Sequence, residues 1–459
     1  MINYDLKVGF SRIEINPPLG TNITGYFHKR YAEGILDDTE INTVVVSKDE
    51  KTVALITLDC MTSTTKFTAE ARKMVEALTG LNANAVYIHS THTHTGVTFC
   101  TDNEPEELEK YSPEFDFESE YYSQVMRKIA DSVAFALKDL KPARMGIAVS
   151  KAERIGFNRR YLMKDGSVQT NPGVNNPNIV KSIGLLDERV NVIRFERECG
   201  DNIVIANYGN HPDVIGNNCI SADWPGFTRR IFERAVDNVK CLFFNAAQGD
   251  INHVNVKPVG GDLNGMFNDF DDVTRGYAHS RHLGNVVAGA IMSVYEKVEF
   301  IPTLSLDFFQ TDIDIPSNMP KPEEMAEARY INELHLAGRD SELPYTGMML
   351  TTMVAEAGRK IRLEHGPVSF PFHMSFIKLG DVAFVGIPGE PFTGIGLGLK
   401  EAEGWKMVCP TCLTNGNCGY FPMKDSYDEG GYEAKSSCYK AGVAETIIEE
   451  GVKILNSLR

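Results

Sequence analysis

The stretch Ala85-Val86-Tyr87-Ile88-His89-Ser90-Thr91-His92-Thr93-His94-Thr95-Gly96 decides how this chain reads. Its first four residues are an apolar run with the look of a buried β-strand. Three of the chain's eleven histidines follow within six residues. Histidines crowded where a buried strand turns into a loop suit a metal site: the strand holds the imidazoles rigid and the loop leaves a coordination position open. If the strand continues, His92 and His94 share one face and address one site, while His89 points the other way. Taken alone, the segment also reads as hydrogen-bonded loop histidines that bind nothing.

Upstream, Ile41 to Val46 and Thr52 to Leu58 read as a hairpin across the charged turn Lys48-Asp49-Glu50-Lys51. Thr65 to Leu78 has helical spacing, with Phe67, Ala71, Val75 and Leu78 on one face, and Gly80 stops it. The strand–helix–strand order ending on the histidines predicts a parallel pair joined by a crossover. Downstream, an acidic, proline-containing loop is expected over 100–118, a long helix over Tyr121 to Leu140, and a strand over Arg144 to Val149. A loop rich in Gly, Pro and Asn is expected from Asn158 to Asn178. Val190 to Phe195 and Ile203 to Tyr208 read as paired strands, the second running into Gly209-Asn210-His211-Pro212. A helix follows to about Asn238, with Ser221 or Asp223 as its expected N-cap. Cys241 to Phe244 delivers the polar loop Asn245 to His253, where catalytic groups commonly lie. Residues 255–275 read as a surface excursion and 276–297 as a helix. Helices over 321–337 and 345–364 suit a hairpin. Phe370 to Leu379 and Val382 to Ile387 alternate like paired strands, and the second ends in Pro388-Gly389-Glu390-Pro391. A loop over Asn415 to Tyr432 and a final helix over 437–458 complete the chain. The predicted class is α/β, mixed β-sheets flanked by helices, in a single domain over 1–459.

The composition is that of an ordinary soluble globular chain: 42% hydrophobic and 24% charged residues over 459. A formal net charge of -16 repels nucleic acid and anionic membranes. No stretch approaches the roughly twenty apolar residues of a membrane span. The first residues show no signal-peptide pattern. Nine scattered cysteines suit reduced thiols, and together these predict a cytoplasmic protein. Cys409-Pro410-Thr411-Cys412 has no second CxxC and reads as buried thiols beside a strand end.

Four strand ends therefore present polar groups to loops: His92 and His94, His211, Asp250 with Asn252 and His253, and Glu390. Open α/β sheets gather such ends along one edge, where ligands bind. Two histidines and a glutamate are the ligand set of a hydrolytic zinc site, which acidifies a bound water to a pKa of about 7.

Thr91-His92-Thr93-His94-Thr95-Gly96 resembles the THTHSGP signature of the neutral/alkaline ceramidases, zinc amidases that cleave N-acyl sphingosine. Further resemblances follow in the same order: Gly25-Tyr26, Asn158-Arg159, His211 ahead of Ser221, Asp223 and Gly226, Gly249-Asp250, Pro388-Gly389-Glu390-Pro391, and the late Tyr420 and Tyr432-Glu433. The resemblance implies zinc ligands His92, His211, Glu390 and Tyr420, with His94, Arg159 and Tyr432 near the reacting group. Three departures bear on chemistry. Asn252 stands where the family has a serine after its GD motif, and an amide is no oxygen nucleophile. Attack by zinc-bound hydroxide is then expected, with Asn252 donating to the oxyanion and His94 or Asp250 moving the proton. The family's lipid-cleaving members carry a further C-terminal β-domain, which is not expected here, and a secretion signal is not evident. These departures point from ceramide towards a small soluble amide, ester or lactone. A ceramide-type amidase, a metal-dependent lyase or isomerase, and a non-catalytic homologue are the competing readings.

Overall fold

Glu40–Lys48 and Lys51–Leu58 pair antiparallel, as the hairpin pattern predicts. In the second strand Val53 to Leu58 are all buried, the pattern of a strand covered on both faces. Thr64 caps the helix Thr65–Thr79 by accepting from the Phe67 amide at 3.1 Å. Gly80, at φ 74, ends it with its amide on the Glu76 carbonyl. Phe67, Ala71 and Val75 form the buried face. The histidine strand, Val86–Ser90, then lies parallel to Lys51–Leu58. The computed structural model that shows this describes residues 4–101, 117–303 and 305–459. The acidic loop expected over 100–118 lies mostly outside the described residues.

That unit is one end of a nine-stranded sheet. From the histidine strand the order runs through Lys51–Leu58, Glu40–Lys48, Leu6–Glu14, Lys141–Lys151, Arg189–Arg197 and Asn202–Tyr208 to Val239–Asn245, and the ninth strand, Glu299–Ile301, pairs with Lys141–Lys151 off this path. The last two strands are parallel, so Tyr208 and Asn245 end side by side. Period-2 alternation sorts their residues between two faces. Val192, Val204, Ala206, Cys241 and Phe243 share a core with Trp224 and Phe232 of the helix Asp223–Ala235 and with Leu283 and Val287 of the helix Tyr277–Tyr295. Ile193, Ile205, Leu242 and Phe244 instead share a core with Leu379, Val382 and Phe384. These belong to a second, four-stranded sheet of Leu306–Pro316, Ser369–Leu379, Val382–Gly386 and Met407–Thr411.

The large sheet brings its two ends together. The His89 ring bridges them: its Nδ1 donates to the Cys412 carbonyl at 2.7 Å and its Nε2 accepts from the Asn245 amide at 3.0 Å. The chain from Cys412 to Asn415 fills the gap. Ser90 donates to the Leu413 carbonyl, Asn415 to Ile88 and Cys412 to Asn245. His89 is thus a structural tie, and burial lowers its pKa to about 3. The folded protein keeps it neutral where the unfolded chain, near 6.5, binds a proton. Stability from this group is complete above about pH 6.5 and is lost as pH falls towards 3. Urea titrations between pH 7 and pH 4 are expected to show a steeper loss of stability in the parent than in His89→Gln. Equal slopes would remove His89 as a source of acid sensitivity.

The structure corrects several local expectations. The loop expected over 158–178 is largely a small sheet, with Arg160–Met163 between Val168–Thr170 and Ile179–Ser182. The loop expected over 415–432 contains a strand, Tyr420–Phe421, parallel to Glu390–Pro391, and a short helix, Lys424–Glu429. Neither Ser221 nor Asp223 caps its helix, whose N-cap is Ala222. Asp223 is buried, accepts from the Val214 and Trp224 amides and from Ser280, and is pushed up to about 7 by burial. The helices Met325–Leu336 and Gly347–Leu363 do pair, around Ile331, Leu334, Val354 and Ala357. No disulfide joins the cysteines of the described residues, and Cys409 and Cys412 are buried, as expected for thiols beside a strand end.

Candidate metal centre

The histidine strand stops at Ser90 and does not carry His92 and His94 on one face. His92 takes a left-handed backbone at φ 75. Its amide and that of Thr93 both donate to the Cys60 carbonyl, while the His94 amide donates to Pro212. This turn still brings the two rings together, with Nε2 atoms 3.3 Å apart. His211, three residues past the end of Asn202–Tyr208, approaches from the opposite end of the sheet. Its Nε2 lies 3.1 Å from Glu390 Oε2, and His92 Nε2 lies 3.3 Å from the same oxygen. Nitrogens of His92, His94 and His211 all lie within 4.8 Å of one another, and all three residues are buried.

The rings are held in one tautomer from behind. His92 Nδ1 faces the Met61 carbonyl at 2.9 Å. His211 Nδ1 faces the carbonyls of Gln248 and Ile251 at 3.0 and 3.1 Å. A carbonyl only accepts, so each Nδ1 carries the proton and each Nε2 presents a lone pair to the common space. Burial lowers the pKa of His94 and, with the nearby Arg159 charge, that of His211, which keeps both rings neutral. Burial would raise Glu390, but the imidazoles, His92 foremost, outweigh it and hold the carboxyl well below its ordinary value. His211 Nε2 is a buried nitrogen without a hydrogen-bond partner. Imidazole nitrogens and an ionised carboxylate, converging with one orphaned nitrogen, fit a divalent zinc-type cation.

Two glycines let these parts approach. A Cβ on Gly25, at φ 105, would sit 2.8 Å from His94 Nδ1. One on Gly249 would sit 2.5 Å from the Glu390 carbonyl oxygen. Tyr420 is the register partner of Glu390, so pairing of two short strands delivers phenol and carboxylate together. Arg159 donates to Glu433 at 2.6 Å, to the Gly249 carbonyl at 2.7 Å and to the Tyr420 hydroxyl at 3.2 Å. Tyr432 stacks edge-on against Tyr420. His94, Glu390, Arg159, Tyr420 and Tyr432 form the floor of a cavity of about 230 Å3. Its walls come from Tyr26, Phe27 and Phe270, and its roof from Met348, Leu350, Thr351 and Val354 of the helix Gly347–Leu363.

Residues 6–269, more than half of the chain, match the family described as neutral/alkaline non-lysosomal ceramidase, N-terminal. The chain belongs to this ceramidase family. Among solved structures it is similar to the neutral ceramidase from Pseudomonas aeruginosa, with a TM-score of 0.74 at 16% identity over 100% of this chain and 75% of that one. A ceramidase complexed with C2 gives a TM-score of 0.72 at 16% identity over 99% and 75%. At such identity the likeness speaks to the fold. No curated protein gives a significant match.

Other candidate residues of this ceramidase-family chain lie behind the cavity floor. Asp250 accepts from the Thr393 amide and hydroxyl through one carboxylate oxygen and from Asn158 through the other. Burial raises its pKa, with Thr393 and Asn158 opposing. Its bonds tie the loop after Val239–Asn245 to the helix after Glu390, and its carboxylate is not on the cavity wall. Asn252 donates to Asn171 at 2.9 Å and accepts from the Val254 amide. Asn171, not Asn252, lines the cavity. The sequence reading passed over Asp213, Arg275 and Asp271. Arg275 is fully buried and binds both Asp213 and Asp271 through paired bonds, and Tyr26 donates to Asp213. Asp213 had a signal, an acid two residues past a strand-end histidine. Arg275 lay in the stretch read as a surface excursion, where nothing local marks burial.

Proposed function

We propose that this chain is a zinc-dependent hydrolase that cleaves an amide, ester or lactone of a small soluble substrate. Family membership supports a hydrolase. The observation that carries the finer reading is the convergence of imidazole lone pairs and Glu390 on the floor of a small cavity. His92, His211 and Glu390 would hold the zinc, with Tyr420 beside them. Bound there, zinc supplies Lewis-acid polarisation of a carbonyl and a water acidic enough to ionise near neutral pH. Arg159, fixed by Glu433 and Gly249, presents positive charge to the cavity. Together with the Tyr432 hydroxyl it would stabilise the oxyanion of a tetrahedral intermediate. Phe27, Phe270 and Met348 supply apolar lining to this space. Cysteines that form no disulfide among the described residues support a cytoplasmic setting. Among the described residues no helix is long and apolar enough to cross a membrane.

Size argues for a small substrate. A cavity of about 230 Å3 falls below the roughly 300–1,000 Å3 of sites that enclose drug-sized ligands. Its lining also carries Asn171, Asp271, Thr351, His335 and Asp340, groups suited to a polar substrate. A ceramide-type amidase is the second reading, favoured by Phe27, Met61, Phe270, Met348, Leu350 and Val354 in the same lining. The test is acid release by the zinc-loaded full chain from short N-acyl amides, esters and lactones, beside long-chain ceramide in mixed micelles. Turnover of a short substrate, lost on chelation and restored by zinc, is the expected result. Turnover of ceramide alone would replace the first reading by the second. No acid release from any of them would sink both.

A further inference from the structure

Hydrogen bonds behind the cavity wall orient one side-chain amide, that of Asn171. The Val254 amide donates to Asn252 Oδ1 at 3.0 Å. A backbone N–H only donates, so Asn252 turns its oxygen to Val254 and its Nδ2 the other way. That Nδ2 lies 2.9 Å from the Asn171 side chain, which must accept through Oδ1. Asn171 keeps its own Nδ2, which bonds to no described residue. Asn171 is buried and lines the cavity, whereas Asn252 is not part of the lining. With Oδ1 turned to Asn252, the spare N–H donor is the side offered to the cavity. The backbone holds it there. Asn171 takes a left-handed conformation at φ 46, which asparagine adopts more readily than most residues, and its amide donates to the Arg159 carbonyl at 2.9 Å. The preceding Thr170 donates to Glu433 at 3.0 Å, and Glu433 accepts from Arg159 at 2.6 Å. Asn171 thus belongs to the frame that carries Arg159. Asp213, Asp271, Asp340 and Glu390 also line the cavity, against Arg159, which Glu433 already pairs. A substrate carboxylate would meet like charge there. The acceptor that suits Asn171 is a neutral oxygen.

We propose that Asn171 is a specificity-determining residue that donates to a hydroxyl oxygen of the substrate, and that Asn252 is its positioning residue. The proposal rests on the reading that this cavity holds the substrate of a hydrolase. The experiment measures affinities of the full chain for three short amides by ligand-observed NMR titration, with turnover followed separately. The probes are N-ethylacetamide and its hydroxylated analogues N-acetylethanolamine and N-ethylglycolamide, which place the hydroxyl on either side of the amide. The parent is expected to bind one hydroxylated probe about tenfold tighter than N-ethylacetamide. Asn171→Asp keeps the shape and the bond from Asn252 but replaces the donor by an anionic acceptor. It is expected to abolish that preference and to raise affinity for the protonated amine of N-acetylethylenediamine about tenfold over the parent. Asn252→Ala leaves Asn171 in place but frees its amide to rotate, and is expected to cut the preference to about threefold or less. A merely structural role for Asn252 would leave that ratio unchanged. Thermal unfolding checks that each variant folds, and Asn171→Gly, which suits the left-handed backbone, carries the comparison should Asn171→Asp fold poorly. Equal affinities of the parent for the three probes, or a parent-like preference in the Asn171 variants, would overturn the proposal. A parent-like preference in Asn252→Ala would overturn the positioning role. Absence of turnover with the binding preference intact would count against the hydrolase reading and leave Asn171 as the hydroxyl-recognising donor.

Discussion

His211→Ala is expected to strip the metal from the protein and to reduce kcat/KM by at least about 10^3-fold, equivalent to about 4 kcal/mol of transition-state stabilisation. His211 reaches the centre from the far end of the nine-stranded sheet, so no neighbouring residue can take its place. Its ring is buried, its Nδ1 is committed to two backbone carbonyls, and its Nε2 faces Glu390 with no hydrogen-bond partner. Removing the ring leaves Glu390 with one imidazole fewer and opens the space where the cation would sit. The Trp224 indole donates to the His211 carbonyl rather than to the ring, so this backbone tie survives the substitution. Metal content by mass spectrometry, beside initial rates on whichever short substrate the parent cleaves, checks the expectation. Stoichiometric metal in the variant, or activity within tenfold of the parent, would contradict the site as drawn.

The second large effect falls on stability. Arg229 and Asp59 are both fully buried and joined by two bonds, Nη1 to Oδ1 at 3.0 Å and Nη2 to Oδ2 at 2.5 Å. Arg229 also donates to Glu40 at 3.2 Å. Asp59 in turn accepts from the Glu40 amide at 3.0 Å and from the Thr91 hydroxyl at 3.3 Å. The pair therefore sits beneath the turn that carries His92. Arg229→Met leaves a buried carboxylate without its cation, for which a loss of about 3–5 kcal/mol is expected. That is a large share of a typical stability of roughly 5–15 kcal/mol. Adding Asp59→Asn to Arg229→Met removes the uncompensated charge and is expected to recover part of the loss. Urea unfolding of the parent, the single variant and the double variant measures both quantities. A single-variant loss under about 1 kcal/mol would mean that the pair contributes little.

Much of this molecule is legible one segment at a time. The hairpin before the first helix, the helix ended by Gly80, and the crossover to a parallel histidine strand follow from apolar spacing and turn residues that act over a few positions. The same holds for the antiparallel pair Arg189–Arg197 and Asn202–Tyr208, and for the helical hairpin over the cavity. Strand ends carrying His92, His211 and Glu390 could be nominated because a polar residue just past a buried strand has a limited choice of surroundings. Errors of local reading arose where long-range pairing overrode composition. The Gly- and Asn-rich stretch around Arg160 became a sheet, and Tyr420 found a strand partner in Glu390.

The sequence by itself thus determined the elements, their order, the family and the side chains offered to a metal. Tertiary structure alone decided which atoms meet. His89 and Cys412 to Asn415 join the two ends of the large sheet, which brings His211 to His92 across more than a hundred residues. Carbonyls of Met61, Gln248 and Ile251 choose the tautomers, and Arg275 holds Asp213 beside His94. The reason is physical. Helix and strand preferences arise from neighbours a few residues away, whereas the cost of burying a polar group is met by whatever partner the fold supplies, however distant in the chain.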